Sequence, residues 1–282
     1  MIPLDTQLLY TALATYIFAA LAFFLYFLRP RGYLMRLALG TVVVAFFSHT
    51  LLLLLRYLSL DFFPVIDLHH SLLFFAWILI AGFLVITLYY DIPTLGSFIT
   101  PLATIFLACS ASAVTDNSGP IPVALRSLWL PIHSTLAFLG EAGFALAFAV
   151  AVMYLIQENQ IKRKKWTVFF YQLPSLQTLD DLNYLCLSVG FLFITLGIIT
   201  GSIWAQQAWG SYWSWDPKET WSLITWLIYA ALLHARLASG WRGKRAAIFS
   251  IIGFGAVLFT FLGVNLFIPG LHNYDTLISQ RP

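Results

Sequence analysis

Residues 69–90 read HHSLLFFAWILIAGFLVITLYY. Past the two histidines this stretch holds no charged residue. A helix needs about 17–25 apolar residues to cross roughly 30 Å of hydrocarbon, and this stretch has that length. The alternating pattern of a membrane strand is absent. Working outward, seven further runs of the same kind cover about 7–28, 36–58, 95–113, 132–157, 184–206, 219–238 and 246–268. The 282-residue chain is 60% hydrophobic and 10% charged, against about 45–50% and about 25% in soluble domains. In lipid each backbone polar group must be satisfied within its own segment, which selects helices. The expected fold is therefore an all-α polytopic membrane protein, a bundle of eight transmembrane helices. It reads as a single integral membrane domain over 1–282, without an internal repeat or linker. The first run begins near Leu8 with no basic stretch before it, so it reads as a retained helix and not a signal peptide.

Eight spans put both termini on one side, and Lys and Arg decide which. Arg29, Arg31 and Arg36, then Lys162, Arg163, Lys164 and Lys165, then Arg236, Arg242, Lys244 and Arg245 flank one set of loops. They are eleven of the fifteen basic residues. The other side has Arg56, Arg126, Lys218 and Arg281. The positive-inside rule places both termini and the Trp-rich loop 207–218 on the outer face, expected to be the periplasmic side of a bacterial inner membrane. A net charge of +3, spread over short loops, speaks for topology and against nucleic acid. The inner loop 158–183 starts basic, which suits anionic lipid. Its part Leu176–Asn183 is predicted as a short amphipathic turn before the sixth span. Gly197 and Gly201 form a small-xxx-small pair for close helix packing. Cys109 and Cys186 lie in apolar runs and make neither CxxC nor CxxCH. That excludes a thiol oxidoreductase and a c-type haem attachment site, and predicts two buried, inert thiols.

Six of the ten tryptophans fall between Trp204 and Trp226. The core of that segment, 209–221, reads WGSYWSWDPKETW. An interfacial aromatic belt accounts for one or two tryptophans per helix end, not for Trp209, Tyr212, Trp213, Trp215 and Trp221 in one loop. Such a group makes a broad apolar platform edged with N–H donors, suited to a large flat ligand. Asp216-Pro217-Lys218-Glu219 is also a helix start, with Asp as N-cap, Pro at N1 and Glu at N3. Lys218 either pairs with a ligand carboxylate or is solvated.

Two histidines share the predicted face of that platform. His133 lies near the start of the fifth span, where the helix N-terminus disfavours the protonated form and leaves the neutral imidazole a metal needs. His272 follows the last span. Together with the aromatics they suggest axial ligation of a planar metal macrocycle, haem. His234 lies deep in the seventh span, where an ionisable group is a functional candidate by default; a hydrogen bond to a neighbouring helix is its structural alternative. His49 has the same status with less support. His69 and His70 open the third span. Glu141, about two turns below His133, either relays protons, bonds a histidine or bonds a neighbouring helix.

Gly201-Ser-Ile-Trp-Ala, then 209–226 (WGSYWSWDPKETWSLITW), Tyr229 and Leu233-His-Ala-Arg236 resemble the WWD signature of haem-handling proteins. Within these the chain is most similar to the CcsA/ResC cytochrome c assembly family, closely over about 129–274. The resemblance implies that His133 and His272 are the outer haem b ligands and that His234 belongs to an inner haem site. It implies that Trp209, Trp213, Trp215, Asp216 and Trp221 lie in the haem-binding WWD region. It also implies a CcsB/ResB membrane partner, an apocytochrome c whose CxxCH thiols add to the haem vinyl groups, and a thioredoxin-like thiol reductant. Where the family commonly reads Asn-Leu-Tyr-Glu-Ser before the third span, this chain has Asp67-Leu-His-His-Ser71, which adds two histidines that compete as ligands.

No residue of the chain is a nucleophile for the ligation, so a synthase activity would belong to the complex. A haem-delivery protein of the CcmC type shares the WWD segment but resembles a shorter chain with fewer spans. A membrane b-type cytochrome would carry facing histidine pairs inside the bundle. A quinone or lipid transporter using the aromatics as a slot would leave the outer histidines unexplained.

Overall fold

The computed structural model describes residues 4–60, 63, 65, 67–113, 126–164 and 167–272. Lys165, most of the loop predicted at 114–131 and the tail beyond His272, with Arg281, lie outside the described residues. The described residues are helical, without a strand. Eight helices are long and apolar enough to cross a membrane. They are α1 (Leu4–Leu28), α2 (Gly32–Leu60), α3 (Leu68–Tyr90), α4 (Gly96–Ser112, after a 3-10 turn), α5 (Trp129–Lys162), α7 (Leu176–Trp209), α8 (Pro217–Ala238) and α9 (Lys244–Leu258) with its extension. That extension is a π-helical turn, Phe259–Gly263, and α10 (Val264–Phe267); a short α6 (Val168–Gln172) precedes α7.

The chain forms two compact units. The first comprises residues 1–115 and 153–179, the second 116–152 and 180–282. In the first, α1 lies against α2 and α4, and α3 against α4. Tyr16, Phe23, Leu72, Phe75, Leu79 and Phe83 fill its core. Phe23 meets Phe83 edge to face at 5.7 Å. Asp67 caps α3 by accepting from His70 N at 2.8 Å. Leu21, Phe24, Val44 and Phe47 stay exposed on α1 and α2, as lipid-facing side chains do where the solvent is hydrocarbon.

In the second unit α5 and α7 meet backbone to backbone. A Cβ on Gly143 would lie 2.7 Å from Gly190 Cα, so side-chain-free positions allow this approach. Phe144 of α5 stacks on Tyr229 of α8 with ring centres 3.5 Å apart. At the far end of α8, Arg236 grips Asp180 of α7 through two bonds of 2.9 and 2.6 Å, with both side chains buried. Asn183 Nδ2 donates to Ala147 O at 2.8 Å.

Two expectations need correction. Leu176–Asn183 is no separate turn but the first two turns of the 34-residue α7. Its polar residues Asp180 and Asn183 face the protein and are consumed by Arg236 and Ala147, so they do not interrupt the helix. Cys186 is buried, but Cys109 is exposed. Being inside an apolar run means being inside the membrane, not inside the protein.

Candidate functional site

The site is built within the second unit, from the start of α5, the C-terminal half of α7, the start of α8 and the chain after α10. His133 projects from the second turn of α5. Its Nδ1 lies 2.8 Å from the carbonyl oxygen of Gly197 on α7. A carbonyl only accepts, so Nδ1 carries the hydrogen and the lone pair stays on Nε2. The ring lies flat against Trp204, 5.9 Å between centres and 14° between planes. It also fills the space beside Gly201, where a Cβ would come within 2.6 Å of its Cε1 and Nδ1. Gly197 packs against Ala137, as a small-xxx-small pair should. Gly201 makes room for an imidazole instead.

His272 is held in a parallel way. Its Nδ1 lies 2.8 Å from Asp216 Oδ1, which again leaves the lone pair on Nε2. Asp216 Oδ2 accepts from Leu271 N at 2.6 Å, and Oδ1 also accepts from Lys218 N at 3.0 Å. Glu219 completes a capping box by accepting from Asp216 N at 3.2 Å. So Asp216 starts α8, as its sequence context predicts, and also orients His272. Burial pushes the Asp216 carboxyl up. The hydrogen bond and charge of His272, with the Lys218 and Leu271 amides, outweigh burial and hold it below the ordinary carboxylate value.

Trp204 joins the two histidines. Its ring centre is 5.9 Å from each imidazole, so twice 5.9 Å is the upper bound on their separation. Trp209, the last residue of α7, stands edge-on to both Trp204 and His272 at 5.0 Å. Its buried Nε1 has no partner among the described residues. Neither Nε2 of His133 nor that of His272 makes a hydrogen bond among the described residues. Two imidazoles with opposite ring nitrogens tied to acceptors, walled by indoles, form a donor set that fits a metal macrocycle with two axial histidines.

The remaining predicted site residues make other contacts among the described residues. Trp213 and Trp215 pack on each other at 5.8 Å, and Trp215 is exposed with a φ of 57°. Trp221 packs on Phe259 at 4.4 Å. His234 is exposed on α8. What sequence reasoning missed is the support of His133: the Gly197 carbonyl, the Gly201 gap and the Trp204 wall. Their spacing along one face of α7 was the available signal.

The first unit holds the other histidines. His69 donates from Nδ1 to Ser110 O at 2.7 Å and accepts at Nε2 from Arg56, so both ring nitrogens are engaged and it offers nothing to a metal. His70 Nδ1 lies 2.7 Å from Asp67. Burial pushes the Asp67 carboxyl up, but the hydrogen bonds and charge of His70 outweigh it and hold it below its ordinary value. His49 is fully buried, with Nδ1 3.4 Å from Tyr16 Oη.

Known proteins share this arrangement of helices and sequence. Residues 65–272 match the family described as cytochrome c assembly protein. The cytochrome c biogenesis protein CcsA of Guillardia theta is 33% identical over 256 residues, 84% of this chain and 85% of that protein. CcsA of Synechococcus sp. strain CC9605 is 36% identical, covering 90% of both chains. CcsA of Chlamydomonas reinhardtii is 40% identical over 79% of this chain, which spans 64% of that longer protein. Among solved structures, cytochrome c haem lyase CcmF has the same fold at a TM-score of 0.66 and 20% identity, matching 99% of this chain and 51% of its own length. The chain is thus a multi-pass membrane protein that acts in cytochrome c biogenesis, and it belongs to the cytochrome c assembly protein family.

Proposed function

We propose that the chain holds haem b between His133 and His272 and presents it at the outer face of the membrane for attachment to apocytochrome c. The observation that carries this reading is the tautomer control at the two histidines. The Gly197 carbonyl and the Asp216 carboxylate each occupy Nδ1, which leaves the lone pair of each ring on Nε2 for an iron. Trp204 and Trp209 wall the site against water and support a flat ligand. When bound, haem supplies the vinyl groups that take up the acceptor's CxxCH thiols. The chain contributes orientation and the exclusion of side reactions.

The skew of eleven basic residues to one set of loops supports an orientation with both termini and the WWD loop in the periplasm. The exposed His234 on α8 supports an inner haem site completed by a CcsB/ResB-like membrane partner. An acceptor with free thiols calls for a thioredoxin-like thiol reductant. Trp213, Trp215 and Trp221 belong to the haem-binding region in this reading, as the surface over which the acceptor approaches.

Absorption spectra of the purified protein test the proposal. A haem b spectrum is expected, lost or strongly altered in His133→Ala and in His272→Ala, and restored in each by added imidazole. Haem-free protein that supports normal cytochrome c maturation would contradict it.

A further inference from the structure

A buried pocket lies inside the second unit, below the outer histidines and separate from them. It is lined by Glu141, Phe144, Ile194, Ser222, Thr225, Val257 and Thr260, and its volume is about 20 Å³. A water needs about 10–15 Å³ measured in this way, so the pocket has room for one. Glu141 is 9% exposed, and its Oε2 is buried without a hydrogen-bond partner among the described residues. An isolated carboxylate oxygen at membrane depth is expensive.

The hydroxyls around it are already committed as donors. Ser222 donates to Glu219 O at 2.7 Å and Thr260 to Ala256 O at 2.8 Å. That leaves Thr225 to donate to Thr260 at 2.9 Å. What the pocket offers is therefore lone pairs. Its occupant must bring hydrogens: a water, the proton of a carboxylic acid, or both. A π-helical turn, a feature frequent at functional sites, carries Thr260 into the lining.

The charges facing Glu141 are few. On its own helix His133 lies about 12 Å away along the axis at 1.5 Å per residue. On α8, Lys218 is within electrostatic reach of Glu141, while Glu219 is tied to Ser214 and Asp216. α7, α9 and the π-helical turn line the pocket with Ile194, Val257 and Thr260, none of them charged.

We propose that Glu141 is a proton-binding site with one water, which takes up a proton when haem at the outer histidines is reduced. This rests on the haem reading above. In the step, one electron from a one-electron reductant of the dithionite class would convert ferric to ferrous haem iron, and one proton from solvent would convert the Glu141 carboxylate to the acid; no other bond changes. Loss of one positive charge at the range of His133, about 12 Å along the axis, would at an effective dielectric of about 20 raise the proton affinity of Glu141 roughly tenfold. By reciprocity, protonation favours the ferrous state by the same factor.

Redox-difference infrared spectra of the haem-loaded protein, dithionite-reduced against ferricyanide-oxidised, test this directly. Reduction should produce a carboxylic acid C=O band that shifts in D2O, is absent in Glu141→Gln and persists, displaced, in Glu141→Asp. The haem absorption spectrum should stay unchanged in Glu141→Gln, whose midpoint potential should vary less with pH. No such band in the haem-loaded wild type, or an unaltered band in Glu141→Gln, would overturn the proposal. If the protein holds no haem, the haem reading itself falls. A pH titration of the same band in the haem-free protein then decides the proton site: its presence supports the site, and its absence overturns it.

Discussion

Replacing Asp216 with Asn separates two roles that one carboxylate performs. Asn is as good an N-cap as Asp, and the Glu219 leg of the capping box bonds the backbone of residue 216, so α8 should start as before. His272 is affected differently. The carboxylate accepts from His272 Nδ1 at 2.8 Å and from Leu271 N at 2.6 Å on its two oxygens. An amide has one oxygen, so it satisfies one of these donors and turns NH2 toward the other. Oδ1 serves both His272 Nδ1 and the capping amide of Lys218, so the cap holds the amide oxygen there and turns NH2 toward Leu271 N; His272 then keeps its tautomer but loses the charged acceptor behind it. Removing such a supporting carboxylate typically weakens metal binding by about 10–100-fold, or ~1.4–2.8 kcal/mol at 1.4 kcal/mol per tenfold. Asp216→Ala should lose this and about 1 kcal/mol of capping besides. The assay is a haem titration of purified protein followed by Soret absorption, with thermal unfolding in detergent beside it. The Asp216→Asn protein should bind haem tens of times more weakly with an unfolding temperature near wild type. Wild-type affinity in both variants would refute the reasoning and leave Asp216 as a cap only.

Gly201→Ala should weaken haem binding about as much as loss of a ligand's support does, because its Cβ would sit 2.6 Å from the His133 ring; circular dichroism should show the helices intact. Arg236→Met leaves Asp180 buried and unpaired, and should cost about 3–5 kcal/mol, read as a large drop in unfolding temperature, with Asp180→Asn in the same protein recovering part of it. The folded Asp216 carboxyl lies below its ordinary value, so its stabilisation is complete above about pH 4 and is lost as pH falls through the lower folded value. The stability gap between wild type and Asp216→Asn should thus shrink as pH falls below about 4, as a pH series of melting curves would show.

The membrane fold is legible because one physical requirement dominates the composition. A run such as 69–90 has to be apolar along its whole length to meet hydrocarbon, and each of the eight runs corresponds to a helix of sufficient length. What patterning does not show is which side of a helix meets lipid and which meets protein. Cys109 and Cys186 look alike in sequence, yet one is exposed and the other buried. Asp180 and Asn183 look like signs of a turn because their partners, Arg236 and Ala147, are distant in sequence. At the candidate site the two roles of Asp216 differ in range. Its cap is local and readable from Asp-Pro-Lys-Glu, while its bond to His272 spans 56 positions. Gly201 resembles any small residue at a helix contact, and only the three-dimensional position of His133 gives it a distinct role. The tryptophans read as one platform in sequence, but Trp204 and Trp209 line the histidines while Trp213 and Trp215 pack on each other.

The central claim is that His133 and His272 both ligate one iron through Nε2. Electron paramagnetic resonance of the ferric protein tests it most directly. The account predicts a low-spin signal in wild type that converts to high spin in His133→Ala and in His272→Ala alike; a low-spin signal unchanged in either variant would contradict it.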